Sequence, residues 1–218
     1  MNWSNLKKWL GMENTESTQG SKQNIKSVIR DIAITLLIAI VVYFGLRTAV
    51  QSYRVDGPSM LPNFETGQWV LVNKLVYKLH EPQRGDVIIF RSPHAPDKNL
   101  IKRLIGFPGE SIELKDGTVY VHKANGDVVS LVEKYIPDPD TRAFVGQTIP
   151  QGHYFVLGDN RRVADDSRYG WLVPKEDIFG KAWLSTWPPS DWGLAANRQP
   201  GEEVVFNKLS LLSAGAAR

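Results

Sequence analysis

One serine and one lysine offer the most direct chemistry in this 218-residue chain. Ser59 lies in Gly57-Pro58-Ser59-Met60-Leu61-Pro62, where glycine and prolines constrain the backbone to a rigid turn that can present a hydroxyl. The pattern is not the G-x-S-x-G elbow of an α/β-hydrolase, because Leu61 fills the last glycine position and no strand followed by a long helix surrounds it. A serine in such a turn is usually structural, so Ser59 gains meaning only with a partner. Lys102, in Leu100-Ile101-Lys102-Arg103-Leu104, is the candidate. In a strand, Lys102 and Arg103 point to opposite faces, and Lys102 shares its face with Leu100 and Leu104. Such a lysine ordinarily snorkels out to water. If it is buried without a counter-charge, its pKa falls, and a drop of about 3 units from about 10.4 makes it a base near neutrality. A neutral amine within reach of a serine hydroxyl can accept its proton, the Ser-Lys form of nucleophile activation.

A third segment carries dense charge. Gly158-Asp159-Asn160-Arg161 and Asp165-Asp166-Ser167-Arg168-Tyr169-Gly170 follow the apolar run at 153–157 and read as a loop tied down by Asp–Arg pairs. The plainer alternative is a solvated turn whose ion pairs each contribute at most about 1 kcal/mol. The carboxylate spacing does not fit an EF-hand loop and no histidine stands alongside, so no metal is expected there. His80, His94, His122 and His153 lie in loops, a hairpin and a strand start, outside any distinctive motif, which argues against a Ser/His/Asp triad. The absence of cysteine excludes a disulfide framework, a zinc–thiolate site and a cysteine nucleophile, and suits either side of a membrane.

These residues must be positioned by elements of two kinds. Ile32–Leu46 is uncharged and apolar, and with Arg47 snorkelling the stretch reaches Val50, about 19 residues and close to what a bilayer span needs. It starts late and no small-x-small cleavage site follows, so it reads as a permanent anchor rather than a cleaved leader or a core helix. Lys22, Lys26 and Arg30 precede it and only Arg47 and Arg54 follow closely, which places the N-terminus in the cytoplasm and the residues beyond about 51 outside. The net charge of +3 is concentrated at the start, leaving a near-neutral body that lacks the basic stripe of a nucleic-acid-binding module. After the anchor, short runs rich in Val, Ile and aromatics alternate with Gly/Pro/Asp turns at 68–72, 86–90, 99–107, 111–114, 118–122, 153–158 and 181–187. The expectation is a mainly β fold. Residues 51–109 and 150–188 should share a core, and 110–149, with its DG and NG turn signals, should form a β-rich cap insertion. The organisation is thus a tail over 1–27, an anchor over 28–50, a domain over 51–190 and a peripheral C-terminal extension over 191–218.

An apolar N-terminal segment, then G-P-S-M-x-P, R-G-D-V-I-x-F (84–90), K-R-x-I-G-x-P-G (102–109) and G-D-N-R with D-S-R-Y-G (158–170), in that order, resembles the bacterial type I signal peptidase (leader peptidase) family over about residues 30–188. The resemblance implies a β catalytic core with a β-rich cap, Ser59 as nucleophile, Lys102 as general base, and the Ser59 backbone N–H as an oxyanion donor. It places Tyr53, Val55, Met60, Phe64 and Ile101 in shallow apolar pockets for small residues before the cleavage site. It makes Arg103–Asp159 and Asp166–Arg168 the ion pairs that hold the catalytic strands. Apolar and Trp residues near the mouth would rest on the membrane. No metal or cofactor is implied; the partners are signal peptides of secretory preproteins and the lipid bilayer, not nucleic acid, and the chain is expected to be monomeric at the cell membrane.

Two positions depart from the family pattern. Gly57 stands where many members carry a hydroxyl residue, although glycine occurs there too. Ala164 stands where the family commonly has the first serine of N-S-x-D-S-R, whose hydroxyl orients the base lysine. Three alternatives to a signal-peptide-removing serine endopeptidase are weighed. A self-cleaving repressor shares the Ser-Lys chemistry but would carry a helix-turn-helix domain in place of the anchor. A catalytically impaired relative acting as a membrane-anchored binding module is motivated by Ala164. A purely structural β domain would have no need of the four motifs together.

Overall fold

The structure, a computed structural model, describes residues 18–206. The chain divides into two units, Met1–Arg47 and Thr48–Arg218. The first is dominated by helix α1 (Thr18–Ala49), in which Ile25–Ala49 contains an 18-residue window of mean hydropathy 2.2 and is long and apolar enough to cross a bilayer. Its interior has no proline to break the ladder of backbone hydrogen bonds. The expected loose tail is corrected over 18–27, which is helical; residues 1–17 of that tail lie outside the described residues. The helix ends at Ala49, one residue before the expected end of the anchor, and Val50 opens the first strand.

The second unit is built on two antiparallel sheets. The larger has the order β1 (Val50–Arg54), β2 (Trp69–Asn73), β11 (Ile178–Trp187), β3 (Val87–Arg91), β4 (Asn99–Gly106), β9 (His153–Leu157) and β10 (Val173–Pro174), with β12 (Gly193–Leu194) paired to β11. The smaller runs β13 (Gly201–Phe206), β7 (Val128–Val132), β6 (Thr118–His122), β5 (Ser111–Lys115) and β8 (Phe144–Val145). After α1 the only α-helix among the described residues is the single turn α2 (Val76–Leu79). The β5–β6 hairpin closes on Asp116 and Gly117, both with positive φ (51° and 81°), as a two-residue turn whose twist matches that of the strands requires.

Alternation along the strands decides which sheet faces share a core. Ile105 of β4 and Phe155 and Leu157 of β9 pack with Ile112, Leu114, Val119, Val121, Val129 and Leu131, so one hydrophobic cluster joins the two sheets. A second cluster, with Val55, Val70, Val72, Val87, Ile89 and Ile101, lies under β1–β4, and a third gathers Ile88, Phe90, Leu104, Val156 and Trp171. β4 is central to all of them and is buried from Ile101 to Gly106. In it, Lys102 pairs with Ile88, and Arg103 stands between Val87 and Leu157.

The C-terminal segment is not peripheral, contrary to the sequence expectation. Ala195 is buried in the cluster under β1–β4. Asn197 Oδ1 accepts the Val87 N–H (2.8 Å) while its Nδ2 donates to the Ala182 carbonyl (2.6 Å), tying the segment across β3 and β11. β13 then adds an edge strand to the smaller sheet through β7. A single edge strand with partners some 70 residues upstream leaves no local pattern to recognise. Residues 207–218 of the expected extension lie outside the described residues.

Candidate active site

Ser59 and Lys102 come together although 43 residues separate them: Lys102 Nζ lies 2.7 Å from Ser59 Oγ. The lysine does not snorkel to water. It is 3% exposed, enclosed on the face of β4 that also carries Leu100 and Leu104, and its Nζ otherwise donates to the Ile101 carbonyl (3.1 Å). Burial disfavours the ammonium and lowers its pKa to about 8 from an ordinary 10.5. The negative charges of Asp166, Asp165 and Asp159 act the other way and keep it from falling further. Near neutrality a useful fraction of this amine is therefore neutral and in line to accept the serine proton.

The turn that carries Ser59 is held from outside itself. Asn160 N–H donates to the Ser59 carbonyl (3.0 Å), and its side-chain Nδ2 donates to the Pro58 carbonyl (3.2 Å). Gly158 permits this approach: a Cβ there would stand 2.6 Å from the Ser59 carbonyl oxygen and 2.2 Å from the Ala164 Cβ. Asn63 Nδ2 donates to Asp159 Oδ2 (2.9 Å) and to the Tyr135 carbonyl (3.1 Å), linking the same loop to the smaller sheet's side of the molecule. Among the described residues the Ser59 N–H has no acceptor. Gly57, two residues earlier, has φ +82° and open space where a Cβ would point, so the turn is not crowded on that side.

The expected ion pairs are present. Arg103 and Asp159 are wholly buried and bidentate (2.7 and 2.5 Å). Arg103 also donates to the Gly85 and Ala196 carbonyls and lies 4.3 Å from the centre of the Tyr135 ring. Asp166 accepts both arms of Arg168 (2.8 and 2.9 Å) and the Gly158 N–H (3.0 Å). Sequence reasoning missed a third buried pair, Arg161 with Glu133 (2.8 and 2.6 Å). It also missed the two asparagines that hold the serine turn. Asn160 sits inside the G-D-N-R motif, but nothing in the sequence says that it reaches Pro58.

A cleft of about 390 Å³ opens on Ser59 and Lys102. Tyr53, Val55 and Ile101 line it as expected, with Val70 and Ile89 as further apolar lining and Arg54, Asp56 and Lys98 as charged lining. Met60 and Phe64 do not line it. They are 0% and 1% exposed and pack in the core with Val55, Val70 and Ile101, so their part is to support the cleft and not to form its surface. None of the four histidines borders the cleft: His122 pairs with Glu113 (2.9 Å) on the smaller sheet, and His94 sits edge-on to Trp171.

The family described as Signal peptidase, peptidase S26, matches residues 27–187, three quarters of the chain. The chain belongs to this family. Among its relatives, Probable signal peptidase I-2 of Synechocystis sp. is 33% identical over 183 residues, covering 81% of this chain and 82% of that protein. Signal peptidase I of Leptolyngbya laminosa is 35% identical over 167 residues, 73% and 80% of the two chains. A crystal structure of a signal peptidase I from Enterococcus faecalis V583 aligns with 38% identity over 47% of this chain and 97% of its own, at a TM-score of 0.41. The matched span takes in the apolar part of α1 from Ser27, the serine turn, β4 and the Asp/Arg loop. This peptidase S26 member therefore carries its buried lysine, its serine and both ion pairs within the family's own segment.

Proposed function

We propose that the protein is a membrane-anchored serine endopeptidase that removes N-terminal signal peptides from exported preproteins. The observation that carries this reading is the 2.7 Å contact between Ser59 Oγ and a buried amine that titrates at about 8. Lys102 takes the proton as Ser59 Oγ attacks the scissile carbonyl carbon. The oxyanion that forms is met by the Ser59 N–H, a kind of contact whose removal elsewhere costs about 3–4 kcal/mol of transition-state stabilisation. The protonated Lys102 then gives its proton to the leaving amine, and the C–N bond breaks to leave an acyl-serine ester. Water, deprotonated by the same lysine, attacks that ester; the C–Oγ bond breaks, Lys102 gives its proton to Ser59 Oγ, and the signal peptide leaves with its new carboxylate. Tyr53, Val55 and Ile101 give the cleft an apolar lining suited to small side chains before the cut. In this reading α1 spans the membrane, with Lys22, Lys26 and Arg30 on the cytoplasmic side and the β unit outside.

The test is cleavage of a preprotein whose signal ends in Ala-x-Ala, by the detergent-solubilised full chain and by Ser59→Ala and Lys102→Ala. The expected result is a cut after the last alanine that both substitutions abolish. A wild type as inactive as the two variants, in detergent and in lipid, overturns the proposal and leaves the binding-module reading in its place.

A further inference from the structure

A second hollow, of about 280 Å³, lies at the opposite end of β1 from the serine turn. One part of its lining is apolar, with Leu75, Ile178 and Phe179; another is cationic, with Lys74, Lys78 and Lys175. Lys175 Nζ is 2.8 Å from both carboxylate oxygens of Glu81. Among the described residues Lys74 and Lys78 have no carboxylate partner, so the hollow keeps a local excess of two positive charges. The nearby Asp86 does not offset them, because it is engaged by Tyr77 Oη (2.9 Å) and Lys181 Nζ (2.6 Å). Asn73 Oδ1 accepts the N–H groups of Leu75 and Val76 (2.9 and 3.1 Å), which fixes the turn that carries both free lysines. Beside them two leucines stand in water: Leu75 is 37% exposed and Leu79 76%.

The hollow adjoins the point where the apolar helix ends. Thr48 lines it, and the Lys74 N–H donates to the carbonyl of Ala49, the last residue of α1 (2.8 Å). Lysines with exposed leucines one residue away, at the end of a bilayer-length helix, match the two halves of a lipid: a phosphate outside and acyl chains within. An inorganic phosphate could use the lysines but would leave Leu75 and Leu79 in water. We propose that this hollow binds the headgroup of an anionic phospholipid, with Lys74 and Lys78 on the phosphate and Leu75 and Leu79 against the glycerol and upper acyl chains. The site rests on the reading of α1 as a bilayer span. Phe179 lines the hollow and stacks on Tyr53 of the catalytic cleft (ring centres 6.4 Å apart, 24° between planes), so an occupied headgroup site has one ring pair between it and the cleft lining.

The experiment uses the full chain reconstituted in vesicles of phosphatidylcholine with roughly a third phosphatidylglycerol, a fraction that gives the surface an anionic potential. After carbonate extraction, the lipid retained by the protein in mild detergent is counted by native mass spectrometry. Wild type should retain phosphatidylglycerol over phosphatidylcholine. Lys74→Gln/Lys78→Gln should lose about twenty-fivefold in that preference, about fivefold for each lysine. A control of equal charge change on the smaller sheet's side, Lys115→Gln/Lys134→Gln, should keep it. Equal retention by wild type and the Lys74/Lys78 variant overturns the site while the anchor reading stands. Displacement of the lipid by millimolar inorganic phosphate overturns the lipid as the ligand. A chain that carbonate removes from the vesicles overturns the anchor reading, and the site with it, before any lipid is counted.

Discussion

Lys102 holds its proton more weakly than a free lysine because its ammonium has lost water and the carboxylates of Asp166, Asp165 and Asp159 only partly replace it. On the proposed mechanism the neutral amine is the active form. Cleavage should therefore fall about tenfold per pH unit below about 8 and level off above it, in kcat/KM against a short peptide. A limb near the ordinary lysine pKa would show that Lys102 is not the base. The same displacement has a consequence for stability, and its sign is fixed. Between about 8 and 10.5 the unfolded chain holds a proton that the folded chain has lost, so stability rises with pH across that window. Below about 8 both states are protonated and the burial cost, about 3 kcal/mol, is fully present. Lys102→Met should thus be inactive yet more resistant to denaturant at pH 7 by about that amount, with the gain gone by pH 10.5. An unchanged or lower unfolding free energy at pH 7 would mean that the lysine does not lie buried as described.

At the scale of elements, the site is a strand, β4, clamped between a serine turn and an Asp/Arg loop. Arg103 and Asp159 make that clamp, and because both are wholly buried, breaking the pair differs from replacing it. Arg103→Met should cost about 3–5 kcal/mol in denaturant unfolding by leaving Asp159 uncompensated, whereas Arg103→Met/Asp159→Leu should recover much of that loss. Equal costs for the single and double variants would mean that the pair is not coupled. Ala164 lies in the same loop, buried and packed against Gly158. On the family resemblance a serine there would supply a hydroxyl that orients the lysine, and Ala164→Ser should raise kcat by about two- to tenfold, the range of one added hydrogen bond. No change, or a loss, removes the idea that Lys102 lacks a positioning partner. The sequence made much of this level legible. β2 to β6, β9 and β11 announce themselves as short apolar runs between turn formers, because burial on one or both faces dictates residue type along a strand. β1 is polar and follows an apolar helix without a break, and β13 pairs only with β7, so neither has a local signature. The family resemblance places Met60 and Phe64 in the cleft pockets, and the strand and turn pattern around Ser59 says nothing of which way they face. Their side chains point the other way, into the core.

At the scale of the whole molecule, the β unit carries exposed tryptophans on its larger sheet. Trp69 and Trp187 are cross-strand partners on β2 and β11, and with Trp183 and Trp192 they make four indoles partly exposed to water, Trp192 most of all at 69%. Trp192 Nε1 donates to the Thr186 carbonyl, which fixes one of these rings in its exposed position. Trp69 is the strand partner of Arg54, a residue of the catalytic cleft, so the aromatic edge and the cleft share the end of β1. Indoles at a surface of this kind favour the headgroup zone of a bilayer, where the ring leaves water while its N–H stays hydrogen-bonded. Partial burial of each ring contributes on the order of 1 kcal/mol. The proposed function supplies the reason for such an edge, since a signal peptide presents its cleavage site where its own apolar helix meets the membrane surface. Trp187→Ser/Trp192→Ser separates this role from catalysis. The variant should cleave a short soluble peptide at the wild-type rate, because neither tryptophan lines the cleft. Against a preprotein embedded in vesicles it should lose about tenfold or more in kcat/KM, carried by KM. Equal losses on both substrates would assign the tryptophans to the fold, and no loss on either would leave the aromatic edge without a part in reaching the membrane.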